Sequence, residues 1–123
     1  MSLEKAIKYA RLNPIKKVGK SNMSRFACVL DNGYTTIMGW NSYKSHPLQA
    51  RSQKHICPDK IHMHSEVAAL IQLARMYDPK EWRHFRMYVA RVYANGEPAN
   101  ARPCEGCLGL IEEFGIKHVE YTM

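Results

Sequence analysis

Apolar residues recur at Leu3, Ala6, Ile7 and Ala10, the spacing of one helix face, which predicts a helix over residues 2–12. Ser2 stands at its cap position, and Asn13-Pro14 would stop it. Residues 24–31 (SRFACVLD) and 34–40 (YTTIMGW) read as strands. Asn32-Gly33 between them is a two-residue hairpin signal, because that turn needs positive φ. Residues 41–61 are polar and irregular, and a loop of that length in a small domain is usually functional or mobile. Helical spacing returns over residues 64–76, with Val67, Leu70, Ile71 and Ala74 on one face. A strand follows over 85–93, then a turn-rich loop over 94–103. A short helix over 104–114 is stopped by Gly115, and a last strand covers 117–122. The order α-β-β-α-β-α-β predicts an α/β fold: a mixed sheet of about four strands with helices packed on its faces.

Composition narrows this further. A chain of 123 residues, 46% hydrophobic, fits a single domain over residues 1–123 built around one core. No apolar run approaches the roughly 20 residues of a membrane span. The N-terminus lacks the apolar block of a signal peptide, so the expectation is a cytoplasmic protein with no membrane partner. The formal net charge is +7 and is uneven. Residues 1–25 hold seven basic groups and one acid, whereas residues 97–123 hold two basic groups and five acids. A basic region attracts phosphate, on a nucleotide or a nucleic acid, but it also serves as an ordinary solvated face. Charge alone does not choose between them.

The chemistry lies in two short motifs. Cys104 and Cys107, in PCEGC at the start of a helix, stand three residues apart. That spacing puts both sulfurs on one side of the turn and makes half of a tetrahedral zinc site. The partial positive charge of a helix N-terminus favours the thiolate form that binds metal. A Cys-x-x-Cys pair alone also fits redox work, but His64-Ser65-Glu66 upstream argues against that, since redox chemistry needs neither His64 nor Glu66. A catalytic zinc needs three protein ligands and one open position, so one histidine suffices, and a carboxylate that is not a ligand can carry the proton of the bound water. His-x-Glu with Pro-Cys-x-x-Cys is the signature of zinc nucleobase deaminases, and it makes His64 the third ligand. Residues two apart diverge on a regular helix, so His64 and Glu66 can share a site only at the first turn. A second arrangement stays open: His62, His64, Cys104 and Cys107 could form a closed structural zinc, with Glu66 merely favouring the helix dipole.

At these residues the chain resembles the cytidine and deoxycytidylate deaminase superfamily. The stretch from GWNSYKSHP through GIKHVEYT looks most like small phage-type deoxycytidylate deaminase-like proteins. The resemblance implies a three-layer α-β-α sandwich and a zinc ion held by His64, Cys104 and Cys107. It implies hydrolytic deamination of a pyrimidine nucleotide or nucleoside, cytosine to uracil, with deoxycytidine monophosphate the leading substrate. Zinc-activated water would attack C4 while Glu66 shuttles the proton. Gly39-Trp40-Asn41 resembles the family's Gly-x-Asn, which assigns Asn41 to substrate binding, with Ser65 and Pro103 beside the reacting base. Superfamily members commonly continue into a further helix and strand past the point matching Met123, and they often form homo-oligomers. The loop after Asn41 departs from the Gly-rich, Pro-containing family pattern, which leaves the substrate open.

A free nucleotide needs a phosphate grip, for which Lys44, His46, Arg51 and Lys54 are the candidates. The alternative substrates are single-stranded DNA or RNA, or an adenine or guanine base. A polynucleotide would use the basic N-terminal region, with Tyr43 and Tyr93 for stacking. His55, Cys57 and His62 read as loop residues or as ligands of a second, structural zinc. Cys28 and Trp40 read as core.

Overall fold

The computed structural model describes residues 2–15, 24–44, 46–53 and 63–123. Strand β1 (Arg25–Asp31) is central. It pairs antiparallel with β2 (Thr36–Trp40) on one side and with β3 (Arg86–Val92) on the other. The far edge of β3 is shared by two short strands: β4 (Pro98–Ala99), antiparallel, and β5 (Val119–Tyr121), parallel. The sheet is therefore mixed and five-stranded.

Both faces of β1 are covered, which explains its unbroken apolar run ACVL. Ala27 and Val29 point to α1 (Ser2–Leu12), together with Ala6, Ala10, Tyr88, Ala90 and Val92. Cys28 and Leu30 point the other way, into a second core with Val67, Leu70, Leu73, Met87 and Val89. Helices α3 (Ser65–Met76) and α4 (Glu105–Glu113) contribute to that second core. The α-β-α layering and the mixed sheet are those expected from the sequence.

Three local differences have physical causes. The hairpin closes around Gly33-Tyr34 rather than Asn32-Gly33: Asn32 N–H donates to Thr35 C=O at 3.3 Å, and Gly33 takes φ +91°. The Asn32 side chain accepts from the Tyr34 and Thr35 amides, so it braces the turn instead of forming its tip. The segment read as irregular contains a helix, α2 (Pro47–Gln53). Pro47 opens its first turn, and His46 Nδ1 accepts the Leu48 N–H at 3.0 Å. The sequence hides α2 because a fully buried glutamine, Gln49, stands on its inner face where an apolar residue would mark the pattern. The loop over 94–103 contains β4, too short to show a period of two. A 3-10 turn, Pro79–His84, follows α3, and its Trp82 stacks on Phe114 at 4.4 Å between ring centroids. Among the described residues no helix is long and apolar enough to cross a membrane.

Candidate metal centre

The starts of α3 and α4 meet on one face of the sheet. His64 is the N-cap of α3 and Cys104 the N-cap of α4, both with extended backbone. Each carbonyl already accepts the first helical bond, from Ala68 and Leu108 respectively. His64 Nδ1 lies 3.3 Å from Cys107 Sγ and 3.7 Å from Cys104 Sγ. The three ligand atoms all fall within 4.8 Å of one another. Two sulfurs and an imidazole nitrogen bound tetrahedrally to one zinc would have N···S edges of ~3.6 Å, given bond lengths of about 2.3 and 2.0–2.1 Å.

The donor chemistry fits a cation as well as the spacing does. The Cys107 thiol is pushed far above its ordinary range by the hydrogen bond it donates to Cys104, then by burial and the nearby Glu66 charge. Burial likewise raises the Glu66 carboxyl, against the Ser65 hydroxyl, which lowers it. Cys28, under the site in β1, is raised by burial and then by Glu66. Potential anions crowd a buried place, and a divalent ion there would offset them. His64, Cys104 and Cys107 are thus the residues that could hold a metal.

Glu66 is 5% exposed, and Ser65 Oγ donates to its Oε1 at 2.8 Å. Ser65, expected at the substrate, spends its hydroxyl on orienting Glu66. Asn41 is also buried and braced. Its Oδ1 accepts from Asn13 Nδ2 at 2.7 Å and from Phe26 N–H at 3.0 Å, and its Nδ2 donates to Ser24 C=O at 2.6 Å. Asn41 nevertheless lines a cleft of about 590 Å³ with Asn13, Trp40, Tyr43 and Lys44. Pro103 is buried directly before Cys104. Of the basic candidates, Lys44 is exposed at the Asn41 cleft, but His46 lines a separate groove with Arg75, Trp82 and Phe114. The Arg51 side chain, Lys54, His55, Cys57 and His62 lie outside what the structure describes. Three residues were given no site role in the sequence. Asn13 looked like a helix stop, Gly39 carried no assigned job, and Gln49 sat in a polar segment.

Gly39 sets the position of the α3 end. A Cβ there would run into Ala69 N and lie 2.6 Å from Ser65 C=O, both backbone atoms. The strand can approach the first turn only without a side chain. Gly39→Ala should cost about 1–3 kcal/mol through overpacking. Because the displaced turn carries His64 and Glu66, metal affinity should fall with stability; chelator competition alongside thermal melting checks this.

An open α-β-α layer whose helix starts present one histidine and two cysteines to a single point defines an α/β protein with a three-donor cluster that could hold a metal. The chain belongs to the family of the cytidine and deoxycytidylate deaminase zinc-binding region, whose model matches residues 2–123. Its fold is similar to the crystal structure of the dCMP deaminase from cyanophage S-TIM5 in its apo form. The TM-score is 0.60 at 17% sequence identity, covering 97% of this chain and 77% of that one. No curated protein matches the sequence.

Proposed function

We propose that the protein is a zinc-dependent hydrolytic deaminase of a cytosine nucleotide, with deoxycytidine monophosphate as the leading substrate. The observation that carries this reading is a buried carboxylate, Glu66, set beside the His64–Cys104–Cys107 cluster at two converging helix starts. A bound zinc supplies a water whose pKa is lowered toward ~7. Glu66 would take one proton from that water and pass it to the ring nitrogen of the base, then take the second proton from the oxygen added at C4 and deliver it to the leaving amine. Its raised proton affinity suits the transfer, since burial favours the protonated form. Ser65 holds the acting carboxylate by its Oε1. Backbone N–H groups at the starts of α3 and α4 favour negative charge developing between them.

The substrate assignment draws on the phage enzyme with a similar fold and on the cleft at Asn41, where Lys44 offers a cation for a 5′-phosphate. The test compares kcat/KM for deoxycytidine monophosphate and for deoxycytidine, with uracil formation followed by absorbance. The monophosphate should be favoured by at least ~10-fold, about the 1.4 kcal/mol of one charge-assisted hydrogen bond. Equal values would remove the phosphate from the reading. The basic N-terminal region favours a second reading, a single-stranded polynucleotide substrate, which turnover restricted to oligonucleotides would establish.

A further inference from the structure

We propose that Gln49 is a positioning residue for the metal ligand His64, and that α2 acts as a brace fixing where that ligand stands. The inference rests on the metal-centre reading above. Gln49 is 0% exposed, and its Oε1 accepts the His64 backbone N–H at 2.9 Å. An N-cap amide has no partner within its own helix, so a side chain from elsewhere must satisfy it when it is buried.

The same segment grips the residue before His64 as well. Ser42 N–H donates to Met63 C=O at 3.0 Å, and Met63 N–H donates to Lys44 C=O at 2.9 Å. Three successive hydrogen bonds therefore fasten residues 63 and 64 to residues 42–49. The first two are backbone bonds, which many side chains would permit. The third depends on an oxygen acceptor of the right length at position 49. A buried polar side chain is costly unless paired, and an apolar residue would pack α2 against α3 and α4 as well. What glutamine adds is a fixed backbone angle at His64, and with it the direction from which Nδ1 meets the two sulfurs. Such outer contacts commonly govern metal affinity without touching the ion.

The arrangement also joins two parts of the site. Lys44, at the Asn41 cleft, and Gln49, at the ligand, belong to one short segment.

The experiment uses the full chain, with Gln49→Met, Gln49→Glu and Leu48→Ala as variants. Met keeps the volume and removes the oxygen. Glu keeps an acceptor oxygen. Leu48→Ala loosens the packing of α2 and leaves the hydrogen bond in place. The readouts are zinc Kd by chelator competition, the visible spectrum of the cobalt-substituted protein, and thermal melting. Gln49→Met should weaken zinc by ~10-fold, the lower end for outer-shell changes, and shift the cobalt bands. Leu48→Ala should lower the melting temperature yet keep Kd within about threefold, and so should Gln49→Glu, which retains the acceptor. Zinc Kd unchanged in Gln49→Met, or weakened equally in Leu48→Ala, overturns the positioning role. If Gln49→Met does not fold, a tenfold loss in folded Gln49→Glu overturns it. Failure of the native chain to bind zinc at all would instead sink the metal-centre reading.

Discussion

Glu66→Gln is expected to bind zinc as the native chain does and to lose ~10²–10⁴-fold in kcat, the range that general acid–base groups contribute. The amide has the same shape and can still accept the Ser65 hydroxyl bond that now reaches Oε1. What disappears is the ability to take up and release a proton. Stability should hold or rise, because an uncharged amide costs less to bury than a carboxylate at a site 5% exposed. The variant therefore separates chemistry from folding. Zinc content by elemental analysis and ammonia release, measured on one preparation, check it. Full activity in that variant would remove Glu66 from the mechanism.

Removing a ligand should act on the metal instead. Cys107 is buried and lies 3.3 Å from His64 Nδ1. Replacing it with serine exchanges a soft thiolate for a hydroxyl that holds zinc poorly. Zinc affinity should fall by more than ~100-fold, beyond what changes in outer contacts produce, and turnover should fall with it. Cys28→Ala provides the contrast. Cys28 is buried in β1 under the site but is not one of the three clustered donors. Its loss should lower the melting temperature and leave zinc in place. Equal zinc loss in both variants would mean that the site responds to core packing rather than to ligation.

The contrast between the two cysteines was legible in the sequence. Cys107 belongs to a spacing with a chemical reason, and Cys28 sits among apolar neighbours in a strand. His64 and Glu66 were legible for the same cause: two residues apart can share a site only at a helix start, and the structure puts His64 at the N-cap of α3 and Glu66 in its first turn. The order of the longer elements along the chain followed from apolar periodicity, because β1 and β3 are long enough to show it. The bracing around the site was not legible. Asn13, Gly39 and Gln49 act through partners 15 or more residues away, in Asn41, the first turns of α3 and His64. A buried polar residue looks like a loop residue until the structure shows what it bonds. Asn41 and Ser65 show the converse: the family motif drew attention to them, yet much of their hydrogen bonding serves the protein itself.

The central claim is that the His64–Cys104–Cys107 centre with Glu66 catalyses deamination. It is tested most directly by loading the purified chain with zinc and following ammonia release from deoxycytidine monophosphate. The expected result is one zinc per chain and equal amounts of ammonia and deoxyuridine monophosphate. One tightly held zinc with no ammonia from this or any other nucleobase, nucleoside, nucleotide or single strand would contradict it, and would make the cluster a structural site.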